Sequence, residues 1–562
     1  MENFAQRLFN HFETNPEKVV LHLQRTGFDD AHITYHKLIR ESAKYSKALK
    51  NAGVVPGDIV VIILQHSLDL VFAYFGTILL GAVPSIMPFL TEKLLPEKYQ
   101  KDLCSLIETT KPAAIITYED FNPVIATFKD TNSIKAILMT EEVGRFDGEN
   151  INHSIFLGLN NDPNEIVLLQ HSSGTTGLQK GVALSHAAVI NQLASYQEAI
   201  QLNKSDVIVS WLPLYHDMGL IASFLMPILS GIPLVLMSPF DWVRAPHKLL
   251  CAVSDYHGTL CWLPNFAYNF CTQKIREADL EDVDLSTLRA VINCSEPMRY
   301  ESHRMFYERF KRYGFRESAL ATSYAMAENV FAVTQGGINK PITYDCIDLE
   351  RFQREKIAIP VKNGYLPMVM VSAGAPIKNT EVKIVADDGE ELPERHIGEI
   401  WIQSDCMLTE YYNRPDETRK SINAGWLKTG DLGYMANGEL YVSGRKKDLI
   451  IVGGKNIYPQ DIENVVMEVK GIHPGRAVAF GVYNKDKGTE DVVVVAELEP
   501  SYAEKKETIE EEIRKHVTQN TAVALRNVFL VDAKWLIKTS SGKIARSANK
   551  EKYLKAITND HV

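Results

Sequence analysis

Apolar and polar residues follow each other along the first 165 positions in blocks that predict strands and helices in alternation. Strands or helices are predicted at 36–52, 59–64, 68–80, 113–118 and 134–139. The same rhythm returns from Asp206, with apolar strands predicted at 207–211, 235–237, 259–263 and 290–293. Alternation of this kind is typical of parallel sheets covered by helices. The pattern therefore predicts two successive doubly wound α/β units.

The pattern changes near Gly364, where short strands separated by turns replace the alternation. Strands are predicted at 368–372, 381–385, 399–403 and 439–443, and a small α+β unit follows the polar segment 444–448. No low-complexity linker separates the two parts, so a hinge is expected rather than a tether. The fold class predicted is α/β: a large N-terminal domain (1–444) of two doubly wound αβαβα-type sheets plus a small β-barrel-like subdomain (about 365–444), followed by a small mobile α+β C-terminal domain (445–562).

The composition indicates a folded protein without an obvious polyanionic partner. Of the 562 residues, 45% are hydrophobic and 23% charged, and the net charge is −10, which gives no electrostatic basis for binding nucleic acid. The seven cysteines include no Cys-x-x-Cys pair, so reduced thiols and a cytoplasmic location are expected. Residues 1–4 do not resemble the start of a signal peptide.

Two apolar stretches, 68–90 and 218–240, are long enough to span a bilayer. Glycine and proline interrupt both of them. Such interruptions fit a buried helix that turns into a buried strand, and we therefore expect no stable membrane insertion.

The residues best suited to bind phosphate, Ser172–Lys180, follow the apolar strand predicted at 166–170, and we call them the phosphate loop. Small and hydroxylated residues allow backbone amides and hydroxyls to converge on an anion, and Lys180 adds a positive charge. A flexible surface loop would have a similar composition. The segment is not a Walker A motif, because Gln179 and Gly181 stand where glycine and Ser/Thr are required, so a P-loop NTPase is disfavoured.

Six further motifs follow along the chain, and each taken alone could be ordinary surface or core. They are Trp211–Gly219, Asn293–Pro297, Ser323–Glu328, Trp426–Asp431, Gly444–Asp448 and Lys538–Ile544. Together with the phosphate loop, and in this order, they resemble the adenylate-forming superfamily of acyl-CoA synthetases, luciferases and peptide-synthetase adenylation domains. The resemblance covers nearly the whole chain.

The resemblance implies binding sites for ATP and Mg²⁺. The loop would wrap the triphosphate, with Thr175 and Glu328 as magnesium ligands, while Tyr324 would stack on adenine and Asp431 would accept hydrogen bonds from the ribose hydroxyls. Nucleotide-binding residues implied by the motifs are Ser172, Ser173, Gly174, Thr175, Thr176, Gly177, Lys180, Cys294, Ser295, Glu296, Pro297, Ser323, Tyr324, Ala325, Met326, Asp431 and Arg445.

The resemblance also assigns residues to the reacting carboxylate. Lys543 would reach from the small domain to the carboxylate and the α-phosphate, and Lys447 would be the pivot of that domain. The carboxylate brings its own negative charge, so His216 is expected to gate or position rather than act as a base. Together with Thr175 and Glu328, Lys543 and His216 complete the catalytic set. Substrate contacts are expected from His216, Asp217, Met218, Trp262, Phe266 and Tyr268, although core packing explains the three aromatic residues nearly as well.

Two features indicate which branch of the adenylate-forming superfamily the chain resembles. The interval between Tyr324 and Gly398 is long, and its surplus at about 347–376 resembles the insertion of fatty acyl-AMP ligases. The sequence Asn456-Ile457-Tyr458-Pro459-Gln460-Asp461-Ile462-Glu463 also resembles those ligases. By resemblance, the chain would convert a fatty acid and ATP to acyl-AMP and pyrophosphate, and then pass the acyl group to the phosphopantetheine thiol of an acyl carrier protein in trans. The alternatives are an acyl-CoA synthetase and an inactive nucleotide-binding regulator of the same fold.

Overall fold

The computed structural model describes residues 2–89, 96–125, 128, 133–144, 153–172, 180–361, 367–453, 455–484, 489–521, 523–539 and 542–559. Within these residues the helices are α1 (Phe4–Thr14), α2 (Tyr35–Asn51), α3 (Leu68–Leu80), α4 (Pro96–Thr110), α5 (Asn122–Ile125), α6 (Thr140–Val143), α7 (His186–Ala199), α8 (Met226–Ser230), α9 (Pro239–Arg244), α10 (His247–Asp255), α11 (Asn265–Lys274), α12 (Tyr300–Phe310), α13 (Leu349–Glu355), α14 (Pro415–Ser421), α15 (Pro459–Met467), α16 (Lys506–Thr521) and α17 (Arg546–Asn559).

The strands are β1 (Val19–Leu23), β2 (Ala31–Thr34), β3 (Ile59–Ile62), β4 (Val83–Ile86), β5 (Ala114–Thr117), β6 (Ala136–Met139), β7 (Ile166–Ser172), β8 (Lys180–Ser185), β9 (Ile208–Ser210), β10 (Leu234–Leu236), β11 (Leu260–Leu263), β12 (Ala290–Asn293), β13 (Leu320–Ala325), β14 (Ala332–Gly336), β15 (Tyr344–Asp348), β16 (Pro367–Val371), β17 (Ala375–Pro376), β18 (Thr380–Val385), β19 (Gly398–Ser404), β20 (Glu410–Tyr411), β21 (Ile422–Asn423), β22 (Trp426–Ala436), β23 (Glu439–Arg445), β24 (Ile450–Val452), β25 (Lys455–Ile457), β26 (Ile472–Asn484), β27 (Thr489–Leu498) and β28 (Leu525–Val531).

Two large sheets confirm the predicted α/β fold. One has the strand order β20-β8-β7-β4-β3-β5-β6, and the other β17-β14-β13-β12-β11-β9-β10-β1-β2. The central strands of both sheets are parallel and fully buried, which explains their continuous apolar sequences. Antiparallel strands close the edges of the second sheet. One apolar core joins the two sheets and the helices between them.

The remaining strands form the β-rich and α+β parts. An antiparallel sheet has the order β18-β19-β22-β21, with β23 paired to β22, and β15 pairs with β16 beside it. Beyond residue 449, β26, β27 and β28 form a sheet whose two faces carry separate apolar clusters. These cores are distinct from the core of the large sheets, as expected of a unit that folds around its own interior.

The two long apolar stretches fold as the interrupting glycines predict. Helix α3 is almost wholly buried and ends at Gly81, whose φ of +88° lets the chain turn into β4. The second stretch begins with a π-helix at Met218–Leu225, continues through α8 to Gly231 at φ +69°, and enters β10. In the described part of the chain, no helix is long and apolar enough to cross a membrane.

Candidate active site

Several of the motif residues lie at one edge of the second sheet. The segment Trp211–Gly219 follows β9, Asn293–Pro297 follows β12, and Ser323–Glu328 begins within β13. These strands run parallel within one sheet, so their carboxyl ends meet at the same edge. Ligands of open α/β sheets bind in the crevice outside those ends. The topology thus brings three motifs that are distant in sequence to a single crevice.

Asp431 anchors the polar side of this crevice. It is 6% exposed, and its Oδ2 accepts a hydrogen bond of 2.6 Å from the Tyr324 hydroxyl. The Nε of Arg445 lies 2.9 Å from Oδ1, because Asp431 and Arg445 face each other across β22 and β23. An ionised carboxylate has about four acceptor sites, so both oxygens retain capacity for the hydroxyls of a ribose. Three predicted nucleotide-binding residues therefore form one connected cluster.

Side-chain hydrogen bonds hold the Asn293–Pro297 segment, buried at Asn293 and exposed at Glu296. Asn293 Nδ2 donates to Asn265 Oδ1 at 3.1 Å, and the Glu296 carboxylate accepts from the Phe266 amide at 2.9 Å. Ser295 adopts a φ of +68°, a left-handed conformation that favours glycine. Its hydroxyl lies 3.9 Å from the Met218 sulfur, so this loop meets the segment after β9. Cys294 is fully buried, and burial raises the pKa of its thiol to about 12.

Within Ser323–Met326 the side chains divide between core and crevice. Ser323 is buried and donates to the Thr334 carbonyl at 2.8 Å, while Met326 packs against the core. Ala325 lies in the extended backbone of β13, where a side chain is tolerated without strain. Burial, and then Asp431, raise the pKa of Tyr324 well above its ordinary value.

Glu328 sits on a strained turn beside Tyr411. The next-but-one residue, Val330, has φ +60° and ψ −53°, which is unusual for a β-branched residue and is the kind of strain found at functional sites. The Tyr411 hydroxyl donates to Glu328 Oε1 at 2.9 Å. Burial raises the pKa of the Glu328 carboxyl, so a nearby cation would favour its ionised form.

Lys180 is the described part of the predicted phosphate-binding loop. Its ammonium lies 2.7 Å from Glu417 Oε2 and 4.7 Å from the centre of the Tyr411 ring. Tyr411 thus connects Lys180 with Glu328. The predictions for Ser173, Gly174, Thr175, Thr176 and Gly177 lie outside the described residues, and Ser172 is described only as the backbone end of β7.

The segment after β9 includes Asp217, whose carboxyl lies within electrostatic reach of the C-terminal lysine Lys543. His216 Nδ1 lies 2.6 Å from Asp217 Oδ1, and that oxygen also accepts from the Met218 amide at 2.8 Å. Burial opposes ionisation of Asp217, but His216 and the ammonium of Lys543 outweigh burial and lower the pKa of the carboxyl. The positive charge of Lys543 acts on Cys294 too. A residue near the C-terminus therefore lies beside the crevice of the large sheets.

A tight turn presents Lys543. The Thr539 amide donates to the Lys543 carbonyl at 2.7 Å, and Gly542 has a φ of +84°, which allows the chain to reverse. Lys447 lies in the short 3₁₀ turn after β23, where burial and Arg445 lower the pKa of its ammonium.

Two of the three aromatic residues expected to contact substrate are core residues in this structure. Trp262 is fully buried and donates to the Tyr196 hydroxyl at 2.8 Å. Tyr268 is also fully buried and donates to the Val291 carbonyl at 2.9 Å. Phe266 is 40% exposed at the start of α11, so it alone of the three presents substantial apolar surface. Their contact with an acyl chain stays a prediction.

Sequence reasoning did not single out Tyr411 or Glu417. Tyr411 in β20 contacts Glu328, and Glu417 in α14 pairs with Lys180, so each lies about 80 residues or more beyond its partner. No local sequence pattern distinguishes either residue. The pairing of β20 with β8 carries Tyr411 to the crevice. Only knowledge of that edge pairing could have identified it.

Comparison with known proteins identifies the class. The AMP-binding enzyme family matches residues 8–412, and the AMP-binding enzyme C-terminal domain matches residues 454–551. The chain belongs to the AMP-binding enzyme family.

Relatives confirm the branch indicated by the motifs. The medium-chain-fatty-acid–[acyl-carrier-protein] ligase JamA of Moorena producens is 34% identical over 408 residues, covering 69% of this chain and 68% of that protein. The long-chain-fatty-acid–AMP ligase FadD32 of Mycolicibacterium smegmatis is 30% identical over 552 residues, covering 89% and 85%. A solved structure from a study of fatty acyl-adenylate ligases of E. coli and L. pneumophila is 26% identical, with a TM-score of 0.91 and coverage of 100% and 99%.

Proposed function

We propose that this protein is a fatty acyl-AMP ligase that uses ATP to activate a fatty acid and passes the acyl group to the phosphopantetheine thiol of an acyl carrier protein. The observation that carries the proposal is the placement of Asp431, Tyr324 and Glu328 at a crevice that lies within electrostatic reach of Lys543. The names of JamA and FadD32 support the fatty acid substrate, and the name of JamA supports the carrier protein as acceptor.

In the first half-reaction, a carboxylate oxygen attacks the α-phosphorus of ATP, and the bond to the β-phosphate oxygen breaks to release pyrophosphate. Asp431 orients the ribose, and Tyr324 and the Asn293–Pro297 loop bind adenine. Lys543 stabilises the negative charge that gathers around the α-phosphate. His216, held by Asp217, positions the carboxylate at the mouth of the crevice. No general base is needed because the nucleophile is already ionised.

Glu328 fits a role as a magnesium ligand. It is a hard oxygen donor whose burial disfavours its charge, and one of its oxygens is oriented by Tyr411. Thr175 is the second proposed ligand. When bound, Mg²⁺ would offset the charge of the phosphates.

Replacing Tyr411 with phenylalanine should raise the Mg²⁺ concentration needed for half-maximal acyl-AMP formation about tenfold, because Glu328 loses the hydrogen bond that orients it. The measurement is the rate of acyl-AMP formation as a function of Mg²⁺ concentration. Tyr412→Phe is the matched control, since Tyr412 is the adjacent tyrosine and packs in a different apolar cluster. An unchanged Mg²⁺ dependence in Tyr411→Phe would contradict the assignment.

The ligase assignment, rather than acyl-CoA synthetase, is supported by the segment at about 347–376. Its helix α13 contacts β25 of the small domain, and the Phe352 ring lies 5.4 Å from the ring of Tyr458. Phe352 and Ile347 are fully buried in a cluster with Leu432 and Tyr434 of the β-rich subdomain. The segment therefore packs between the large domain and the start of the small one, and we call its ring contact between Phe352 and Tyr458 the wedge. We propose that this contact keeps the small domain from rotating into a pose that admits coenzyme A.

We also propose the division into a large domain (1–444) and a small domain (445–562) that pivots at Lys447. The separate apolar clusters beyond residue 449 support this division. All seven cysteines are free thiols, which supports the expected cytoplasmic location.

Exchange of labelled pyrophosphate into ATP tests the adenylation step. Exchange should depend on an added fatty acid and should be absent with matched fatty alcohols, which lack the attacking carboxylate. A protein that binds ATP but shows no exchange with any fatty acid would be the inactive regulator instead.

A further inference from the structure

The ion pair between Arg299 and Asp461 joins the two domains close to the Asn293–Pro297 segment, which we call the adenine loop. Both Nη atoms of Arg299 lie 3.2 Å from Oδ1 of Asp461. Arg299 immediately precedes α12 in the large domain, and Asp461 lies in the first turn of α15 in the small domain. Both side chains are largely shielded, with exposed fractions of 24% and 20%.

The Arg299 end of the pair is fixed to the nucleotide site. Its backbone amide donates to Asn265 Oδ1 at 3.1 Å, the same oxygen that accepts from Asn293 at the start of the adenine loop. Asn265 in turn donates to Ser302 in α12 at 3.2 Å. The guanidinium is therefore carried by a rigid polar network and not by a loose surface loop.

The Asp461 end depends on this partner. Burial raises the pKa of the Asp461 carboxyl, and Arg299 is the cation that counteracts burial. Glu463, on the same helix turn, also faces this region, but both of its oxygens accept from Arg546 within the small domain. A rotation of the small domain that carried Asp461 away from Arg299 would separate the two charges.

The pair is formed in the same arrangement of the two domains in which Lys543 lies within electrostatic reach of Asp217. Two residues near Asp461 also hold the small domain against the large one. The side-chain amide of Gln460 donates to the Ser443 carbonyl beside the hinge, and the Tyr458 ring packs on the Phe352 ring. The Tyr458–Asp461 segment thus makes three separate contacts with the large domain or the hinge. Asp461 is the one whose contact is linked, through Arg299 and Asn265, to Asn293.

From this geometry we infer that Arg299 and Asp461 are positioning residues that hold the small domain in the pose for adenylation and must separate before acyl transfer. The inference rests on the proposed two-step function. Neither residue touches the reacting atoms; the pair acts by keeping Lys543 at the crevice. Its loss should therefore slow the first half-reaction and spare the second.

The test measures the two half-reactions separately in Arg299→Met, Asp461→Asn and the double variant. Acyl-AMP formation is followed in a single turnover, and transfer is followed from purified acyl-AMP to free pantetheine. Adenylation should fall about 5- to 10-fold in each single variant, with transfer unchanged or faster. The double variant should be no slower than either single variant, because the residues act as one pair.

Arg276→Met is the matched control, since it breaks an exposed ion pair with Asp279 inside the large domain. It should alter neither half-reaction. An equal loss in both half-reactions of Arg299→Met, or no loss in either, would overturn the inference. If the unaltered protein formed no acyl-AMP at all, the proposed function would fail instead, so the two failures are distinguishable.

Discussion

Lys543→Ala should lower the rate of acyl-AMP formation by at least about 100-fold. Removing one preorganised donor to a developing negative charge costs about 10²- to 10³-fold in comparable sites. In this structure the Lys543 charge reaches Asp217 and Cys294, which belong to two of the three motifs at the crevice. The measurement is single-turnover formation of acyl-AMP at saturating ATP and fatty acid.

The second half-reaction supplies a sharp internal control. Lys543→Ala should still transfer the acyl group from purified acyl-AMP, because in the proposed mechanism that step follows the departure of the lysine loop from the crevice. Lys555→Ala, which removes an exposed lysine from α17 of the same domain, should leave both half-reactions intact. Wild-type rates of adenylation in Lys543→Ala would show that the assignment of this lysine is wrong.

Phe352→Ala should allow the enzyme to form acyl-CoA. The variant removes the ring that separates the β-rich subdomain from Tyr458, and so loosens the wedge that holds the small domain. If the contact between Phe352 and Tyr458 excludes the CoA-accepting pose, a shift of about 1.4 kcal/mol in that equilibrium should raise the population of the pose about tenfold, so that acyl-CoA becomes detectable. The products are separated by mass spectrometry after incubation with ATP, a fatty acid and coenzyme A.

Point substitution is preferable to deletion of 347–376, because that segment supplies β16 and the edge strand β17 of the nine-stranded sheet. Phe352→Ala itself costs about 3–5 kcal/mol of stability, so its adenylation rate serves as the check on folding. Phe352→Leu keeps most of the apolar volume and should still exclude coenzyme A. A Phe352→Ala protein that adenylates normally and makes no acyl-CoA would refute the steric explanation.

The sequence pattern predicts the local elements well because burial fixes their periodicity. The helix predicted at 68–80 and the strand at 290–293 agree with α3 and β12 to the residue. The same patterns do not predict which strands pair with each other. Strands β1 and β2 leave the first α/β unit to pair beside β10, and β20 crosses from the β-rich region to β8. Local patterns specify that a strand is buried, but long-range packing decides which strand it joins.

The same limit applies to the site. Motif order anticipated the meeting of Tyr324, Asp431 and Arg445, whose contacts are visible in the structure. It could not anticipate Tyr411, which reaches Glu328 through an edge pairing, or Arg299, which meets Asp461 through the docking of the small domain. Their roles depend on tertiary contacts that leave no periodic or compositional trace.

The central claim is that this protein makes a fatty acyl-adenylate and withholds it from coenzyme A. The most direct measurement is a product analysis by mass spectrometry after incubation with ATP, Mg²⁺, a mixed fatty-acid pool and excess coenzyme A. The wedge formed by Phe352 and Tyr458 predicts that acyl-AMP of the preferred chain length accumulates without acyl-CoA. Abundant acyl-CoA from the unaltered protein would contradict the claim.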